Sequence, residues 1–161
     1  FLLKISNKRL SHYASLLGSD CPFFIDNLPA IASETGTKLE PYELNLSKYY
    51  IVVIFTGLHV NTSNSYAHIQ PRVPKNSLRT SLKNIKKWHI LLRNDFESQL
   101  FNSTPHLAEI KSWLYKQGAF YASMSGSGSA IYGLFENPPA IYSFKKYECI
   151  LRSLELSSEL S

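Results

Sequence analysis

Two short segments of this 161-residue chain carry residues whose types and spacing could do chemistry. The first runs from Gly18 to Pro22 and sets the carboxylate of Asp20 in a tight loop between a helix stop and a proline. A carboxylate held by backbone constraint can act as a general base or as an electrostatic anchor. Asp beside Gly, Ser and Pro also forms Asx turns, and from the pattern alone that structural use is the commoner one.

The second segment is the glycine-rich junction from Met124 to Ser129. Gly and Ser residues between two strands can present successive backbone N–H groups as an anion-binding nest. The junction is not a P-loop, because no Gly-Lys-Ser/Thr follows, and it is not a dinucleotide fingerprint, because Ile131 stands where the third glycine would be. A tight hairpin connection without any ligand explains the same residues equally well.

Composition narrows the class of protein that could hold these segments. With 44% hydrophobic and 18% charged residues, the chain is typical of globular rather than disordered proteins. Its longest apolar run, Tyr49 to Phe55, is too short to cross a bilayer as a helix. Two cysteines give no disulfide framework, so we expect a reducing compartment such as the cytoplasm. The chain begins with Phe1 and its only methionine is Met124, so we expect further residues upstream in the whole protein.

The net charge of +5 is unevenly distributed. No acidic residue lies between Glu43 and Asp95, and such a block suits either an anionic partner or a helix with a solvated cationic face, the latter being the commoner case. One function that it leaves open is a basic α+β module that binds RNA. The basic residues concerned are Lys48, Arg72, Lys75, Arg79, Lys83, Lys86, Lys87 and Arg93.

The elements that must position the Asp20 loop are predicted from periodicity. Asn7–Leu17 is predicted as a helix that ends in a left-handed stop at Gly18, and short apolar segments follow at 23–25 and 30–32, before a polar turn at 35–37. The β-branched and aromatic run Tyr49–Phe55 predicts a strand buried on both faces. The predicted helix buries Leu10, Tyr13, Ala14 and Leu17 on one side.

Around the glycine-rich junction we predict helices and then strands. Thr62 starts a short helix that carries Tyr66, and Ser77 caps a longer one that runs to about Arg93. Asn94 and Glu97 resemble a capping box that restarts a helix. Thr104 and Pro105 begin another helix, which ends at Gly118. Their predicted buried residues are Leu78, Leu82, Ile85, His89 and Leu92 in the helix after Ser77, and Leu107, Ile110, Trp113 and Leu114 in the last one.

The final part of the chain is predicted to return to strand. Ala119–Met124 and Ala130–Phe135 are strands on either side of the glycine-rich junction. Pro138 and Pro139 then lead into a helix through Ile141 and Phe144, and an edge strand after Cys149 precedes a Ser-rich tail. Strands separated by helix pairs indicate an α+β sandwich with helices packed on a largely antiparallel sheet.

Taken together, four segments in order resemble the GHMP kinase superfamily, and within it the enzymes that phosphorylate a cytidine-diphosphate-linked methylerythritol in the non-mevalonate route to isoprenoids. The resemblance extends over essentially the whole chain and rests on the order of the motifs. The segments are Leu16–Phe24, Gly57–Thr62, Asn94–Glu97 and Tyr121–Phe135.

The resemblance implies a fold and a reaction. Residues 48–161 are expected to form the C-terminal domain of such a kinase, ferredoxin-like with helices on one face of the sheet, and residues 1–47 the trailing part of its N-terminal domain. The implied reaction, in a bacterial cytoplasmic enzyme, transfers the γ-phosphoryl group of ATP, with Mg²⁺, to the 2-hydroxyl of the substrate. No nucleic-acid or membrane partner is implied, and the expected state is a monomer or a weak homodimer.

The resemblance also implies residue roles. Asp20 matches the catalytic aspartate, which accepts or orients the hydroxyl proton. Tyr66 matches an aromatic residue that stacks on cytosine, and Thr35 and Gly36 match a segment that contacts cytidine. Gly126, Ser127 and Gly128 match a motif that lines the phosphate cleft, and no residue is assigned to a metal.

In similar kinases the lysine that partners the aspartate and the loop that wraps ATP belong to the N-terminal half, and no matching runs occur in these 161 residues. We therefore expect this chain alone to be inactive. Two alternatives remain open: a sister GHMP kinase acting on another alcohol, such as homoserine or mevalonate, and the RNA-binding module.

Overall fold

The chain divides into two compact units, Phe1–Asn45 and Leu46–Ser161, in a computed structural model. The structure describes residues 4–60, 62–67, 69, 73, 76–140, 143–144 and 147–154. Within this part of the chain, no helix is both long and apolar enough to span a membrane. Predictions that involve Phe1, Asn61, Arg72, Lys75, Ile141 and the Ser-rich tail lie outside the described residues.

The first unit consists of two helices and a hairpin: α1 (Asn7–Leu17), α2 (Phe23–Asp26), β1 (Ala30–Ser33) and antiparallel β2 (Lys38–Pro41). The predicted bounds of α1 are confirmed. The left-handed stop is wrong, because Gly18 has φ 174°, which is extended backbone, and its carbonyl accepts a hydrogen bond from Cys21 N in the following turn. The predicted apolar side of α1 is buried only at Ala14, and Leu17 is 84% exposed.

The second unit contains a five-stranded sheet in the order β4-β5-β3-β7-β6, in which every neighbouring pair is antiparallel. The predicted strands on either side of the glycine-rich junction are confirmed, and they pair with Tyr121 opposite Leu134 and Met124 opposite Ile131. The strands are β3 (Tyr50–Ile54), β4 (Tyr121–Met124), β5 (Ile131–Phe135), β6 (Ser143–Phe144) and β7 (Tyr147–Ser153).

The helices of this unit supply one side of its core. The longest, α7, begins with Pro105 after Thr104, as predicted, and buries Leu107, Ile110 and Leu114 completely. Their spacing of three and four residues places them on one side of the helix. They pack with alternate residues of the sheet, among them Val52, Ile54, Ala122, Met124 and Ile131. The helices are α3 (Thr62–Ala67), α4 (Leu78–Leu82), α5 (Trp88–Leu91), α6 (Glu97–Ser103) and α7 (Pro105–Lys116), with a 3₁₀ turn at Ile85–Lys87.

The predicted α+β class with a mostly antiparallel sheet is confirmed. The prediction that the strand around 49–55 is buried on both faces is wrong. Val52 and Ile54 are completely buried, whereas Ile51 and Val53, on the other face of β3, are half-buried.

The single helix predicted from Ser77 to Arg93 is wrong, because the segment breaks at Asn84. Ser77 does cap α4, since its hydroxyl accepts a hydrogen bond from Thr80 N at 3.2 Å. Asn84 then adopts a non-helical φ of −115°, and asparagine is a poor helix-interior residue. The break changes the helical phase, so Trp88 rather than His89 is buried, and the Trp88 indole donates to Leu82 O at the end of α4.

The predictions for the end of the chain are also wrong where the structure describes it. Phe144 lies in the short strand β6 rather than in a helix. The strand predicted after Cys149 begins at Tyr147, and it lies between β3 and β6 rather than at the edge of the sheet. Tyr147, Cys149 and Leu151 all pack against the core, which is the period of two expected of a strand.

Candidate functional site

Asp20 lies in the tight turn that joins α1 to α2, as the sequence predicted. The turn is closed by Cys21 N donating to Gly18 O and by Phe23 N donating to Asp20 O. The Asp20 carboxylate is exposed, and the Ser19 hydroxyl lies 3.5 Å from its Oδ1. Among the described residues, no backbone N–H donates to this carboxylate, so the Asx turn is not formed. The backbone of the turn therefore positions a carboxylate that is accessible to a proton donor.

The turn between β1 and β2 lies beside Asp20. Gly36 has φ +91°, which favours glycine, and its N–H donates to Ser33 O. A Cβ placed on Gly36 would lie 3.6 Å from Asp20 Oδ1. The structure thus brings Asp20 and Gly36 together. The exposed Thr35 hydroxyl lies 3.3 Å from that of Thr37.

The glycine-rich loop, residues 125–130, closes the hairpin between β4 and β5. Its shape is fixed by two backbone hydrogen bonds, from Ser125 N to Ala130 O and from Gly128 N to Ser125 O. Gly126 has φ +55° and Gly128 has φ +97°. Gly128 has a second constraint, because an added Cβ would lie 2.8 Å from the sulfur of Met124. The backbone angle therefore favours glycine at 128, and a Cβ there would require the Met124 and Leu100 side chains to shift.

The end of the glycine-rich loop is anchored to the end of β3. The Thr56 hydroxyl donates to Ser129 Oγ at 2.6 Å, and Ser129 Oγ donates to Leu58 O at 2.7 Å. Thr56 is only 7% exposed, so these bonds are largely shielded from water. They hold the 57–60 segment beside the loop.

The start of the loop is anchored by Asn94, a contact that the sequence did not predict. The Asn94 amide donates to Met124 O at 2.9 Å and to Gly126 O at 2.7 Å, while its Oδ1 accepts from Phe96 N. Helix α6 does restart after Asn94, as predicted. The capping box is wrong, because the Glu97 carboxylate turns away from Asn94 N and binds β4 instead.

Glu97 is a buried acid that supports the same strand end. Its Oε1 accepts from Met124 N at 2.8 Å and from the Ser123 hydroxyl at 3.1 Å, and its Oε2 pairs with Lys111 of α7. A buried carboxylate needs both a counter-ion and hydrogen bonds to offset its lost hydration, and Glu97 has both. The sequence around Glu97 does not predict these partners, because strand β4 begins 24 residues further along the chain.

Tyr66 belongs to the second unit, where its helix lies close to the glycine-rich loop. It shares α3 with Thr62, whose hydroxyl lies 3.3 Å from that of Ser127. The Tyr66 ring is 64% exposed. It packs against the Phe96 ring in a T-shaped arrangement, with a centroid distance of 5.0 Å and an interplanar angle of 84°. An exposed aromatic ring held by a second one offers a surface on which a base can stack.

Two cavities lie on either side of α6. One, of about 270 Å³, is lined by residues of the 58–60 segment and by Phe96, Leu100 and Leu107. The other, of about 660 Å³, is more polar and includes Arg93, Asn94, Glu97 and Lys111. Both adjoin residues that hold the glycine-rich loop.

The described residues contain no group of three or more His, Cys, Asp or Glu side chains that could hold a metal ion. The described members of the basic block do not converge on a pocket of their own. All of them are exposed, as expected of a solvated face: Lys48 lies just before β3, and the others, along and after α4, are Arg79, Lys83, Lys86, Lys87 and Arg93.

Comparison with known proteins gives one family match and several close relatives. Residues 77–147 match the model of the C-terminal domain of GHMP kinases. Two proteins named 4-diphosphocytidyl-2-C-methyl-D-erythritol kinase are similar to this chain: that of Bacteroides thetaiotaomicron is 44% identical over 137 residues, and that of Azobacteroides pseudotrichonymphae is 46% identical over 138. Each alignment covers 84% of this chain, and 50% and 52% of the relatives respectively.

Solved structures give the same picture. A crystal structure of 4-(cytidine 5'-diphospho)-2C-methyl-D-erythritol kinase superposes with a TM-score of 0.70 at 31% identity, over 84% of this chain and 50% of that one. Homoserine kinase from Cytophaga hutchinsonii, at 17% identity and a TM-score of 0.53, shares the fold. The chain spans about half the length of the curated relatives that it matches.

Proposed function

We propose that this chain, whose residues 77–147 match the model of the C-terminal domain of GHMP kinases, is the C-terminal half of an enzyme that phosphorylates 4-diphosphocytidyl-2-C-methyl-D-erythritol on its 2-hydroxyl. The phosphoryl donor is ATP, and the reaction belongs to the non-mevalonate route to isoprenoids. The observation that carries the proposal is 44% identity to a kinase of that name over 84% of this chain. Both substrates are highly charged metabolites, so the proposal places the enzyme in the cytoplasm.

The proposal divides the chain at residue 47. Residues 1–47 are the trailing part of the kinase's N-terminal domain, and residues 48–161 are its C-terminal domain. The separation of the chain into compact units between Asn45 and Leu46 supports this division.

In this proposal Asp20 accepts the proton of the attacking hydroxyl or orients that hydroxyl. Its exposed carboxylate, held in a turn and free of an Asx bond from the described backbone, supports that role. Phosphoryl transfer needs mainly positioning and charge stabilisation. One well-placed carboxylate is therefore enough to orient the attacking hydroxyl or to accept its proton.

The remaining residues bind the two substrates. Gly126, Ser127 and Gly128 line the phosphate cleft, where a narrow Gly-Ser backbone lets phosphate oxygens approach N–H groups. Tyr66 stacks on the cytosine ring, and its 64% exposure supports that role. Thr35 and Gly36 contact the cytidine, and the position of Gly36 beside Asp20 supports a shared site.

Mg²⁺ would neutralise phosphate charge during the transfer. No described cluster of acidic or imidazole side chains fits a resident ion, so we assign it no protein ligands in this chain.

The proposal is tested with a fusion enzyme, in which the N-terminal half of the Bacteroides thetaiotaomicron relative precedes this chain. ADP release is measured with three alcohols: 4-diphosphocytidyl-2-C-methyl-D-erythritol, homoserine and mevalonate. We expect turnover with the first alone. Turnover with homoserine or mevalonate instead would assign the chain to a sister kinase. A salt-dependent gel shift with single-stranded RNA, together with no turnover, would favour the RNA-binding module.

A further inference from the structure

Asn94 links the start of α6 to the start of the glycine-rich loop. We propose that Asn94 is a positioning residue that fixes this loop so that the Ser127 N–H faces the phosphate cleft. The inference rests on the proposed function, because that function makes the loop part of the cleft. It assigns to Asn94 a task that the sequence pattern, which suggested only a helix cap, did not indicate.

The Asn94 side chain makes three hydrogen bonds, all of them to backbone groups. An amide side chain has two N–H donors and one carbonyl acceptor. One donated bond reaches Met124 O at the end of β4, the other reaches Gly126 O in the loop, and the acceptor binds Phe96 N at 3.0 Å. The side chain thus joins two backbone segments 30 residues apart through three short bonds.

The bond to Gly126 O also determines where the next N–H points. In a trans peptide the C=O and the following N–H point in opposite directions. Because Gly126 O points at Asn94, the Ser127 N–H points away from it. Among the described residues, no acceptor is found for this N–H. An oriented and available donor in a loop of small residues suits an anionic oxygen.

The loop has few other means of holding this orientation. Gly126 and Gly128 both have positive φ, and glycine gives the backbone wide freedom. Thr56 and Ser129 anchor the end of the loop, whereas Asn94 holds the peptide that carries the Ser127 N–H. Glu97 supports Asn94 indirectly, because it accepts the N–H of the same Met124 whose carbonyl Asn94 binds.

The first test uses the 161-residue chain and does not depend on catalysis. Asn94→Asp keeps the shape and the acceptor for Phe96 N, but it places a charged oxygen against two carbonyl oxygens. We expect the loop-closing amides of Ser125 and Gly128 to exchange with deuterium at least about tenfold faster, while those of Val52 and Gly133 in the sheet stay protected. Asn102→Asp, the same change at an exposed position of α6, is the matched control and should exchange like the unchanged chain.

Asn94→Ala is the second variant, because it removes the bonds without adding charge and keeps the test decisive if Asn94→Asp does not fold. Unchanged exchange at Ser125 and Gly128 in either folded variant would overturn the proposal. Loss of protection throughout the sheet in both variants would also overturn it, because Asn94 would then act on the fold rather than on the loop.

The second test uses the fusion enzyme. We expect Asn94→Ala to lower kcat by about tenfold to a hundredfold with KM for the cytidine substrate within about twofold, because the loop acts on phosphate and not on cytosine. A rise in KM at unchanged kcat would contradict the role. If the unaltered fusion enzyme is inactive, the proposed function fails, whereas the exchange result still decides whether Asn94 positions the loop.

Discussion

The Asp20 carboxylate is exposed and takes no part in closing the turn that holds it. The turn from Gly18 to Phe23 is held by its own backbone hydrogen bonds, so the side chain is not needed to close it. Gly36 lies beside it without a Cβ, which leaves the carboxylate approachable from the hairpin side.

We predict that Asp20→Asn in the fusion enzyme lowers kcat by about a thousandfold or more while substrate affinity changes little, because an amide cannot accept the hydroxyl proton. Steady-state kinetics and a binding titration with the cytidine substrate measure the two effects. Asp26→Asn is the matched control, since Asp26 is exposed and its Oδ1 contact with Asn7 survives the change. Retained turnover in Asp20→Asn would remove Asp20 from the mechanism.

Glycine can be favoured by a positive φ or by a lack of space for a Cβ, and Gly126 and Gly128 differ in the second of these. Both have positive φ, but only at Gly128 would a Cβ meet other atoms, Met124 Sδ at 2.8 Å and Leu100 Cδ2 at 2.9 Å. We predict that Gly128→Ala lowers the free energy of unfolding by about 2–4 kcal/mol and Gly126→Ala by about 1 kcal/mol. Urea denaturation of the chain measures both. Equal losses would show that backbone angle alone matters here.

At the scale of elements, strand β4 is an edge strand whose open side is covered by side chains. In an antiparallel ladder alternate residues direct their N–H and C=O groups outward, and in β4 these are Ala122 and Met124. The Tyr115 hydroxyl bonds both groups of Ala122, while Glu97 and Asn94 take those of Met124. This cover prevents further strand pairing at β4.

The tyrosines of this region give the fold a pH dependence. Burial raises the pKa of Tyr115, Tyr121 and Tyr132 above the ordinary value near 10, most strongly for Tyr132. Above pH 10 the unfolded chain therefore releases these protons while the folded chain keeps them, which favours unfolding. The associated stability is fully present below pH 10 and declines as pH rises toward the folded pKa values.

We predict that the free energy of unfolding falls as the pH rises from 10 to 12 and that Tyr132→Phe makes the fall less steep. Urea denaturation at intervals across this range measures it. Tyr13→Phe, which removes the hydroxyl of a 43% exposed tyrosine, controls for the loss of a phenol. Identical slopes for the unchanged chain and Tyr132→Phe would contradict the prediction.

Periodicity predicted the elements whose partners are local. Helix α7 and the β4–β5 hairpin were found because Leu107, Ile110 and Leu114 repeat at helical spacing and because two apolar runs flank a glycine turn. The break at Asn84 was missed, since the apolar pattern continues across it while the backbone does not. The helical phase after the break places Trp88 in the core, where it contacts Tyr121, a residue 33 positions away in the sequence.

The candidate site shows the same limit. The segments around Asp20 and Gly126 were found from residue types alone, because Gly, Ser and Pro mark tight backbone turns. The buried roles of Asn94 and Glu97 were not, because their partners are backbone groups of a distant strand edge. The residue type of a backbone partner says nothing about such a bond, because nearly every residue carries the same backbone N–H and C=O groups.

At the scale of the whole molecule, this chain spans about half the length of its named relatives. We predict that it neither turns over ATP nor binds a Mg–ATP analogue with micromolar affinity by itself, because no run that resembles the ATP loop occurs among its residues. Isothermal titration measures the affinity, and the fusion enzyme is the positive control. Micromolar binding by the chain alone would place the nucleotide site within these 161 residues.

The most direct measurement is an NMR analysis of the product formed by the fusion enzyme from ATP and 4-diphosphocytidyl-2-C-methyl-D-erythritol. Phosphorus–carbon coupling identifies the carbon whose oxygen carries the new phosphate. We predict a single product with the phosphate on the 2-hydroxyl, and none with Asp20→Asn. A phosphate on another oxygen, or the absence of any phosphorylated product from a folded fusion enzyme, would contradict the account.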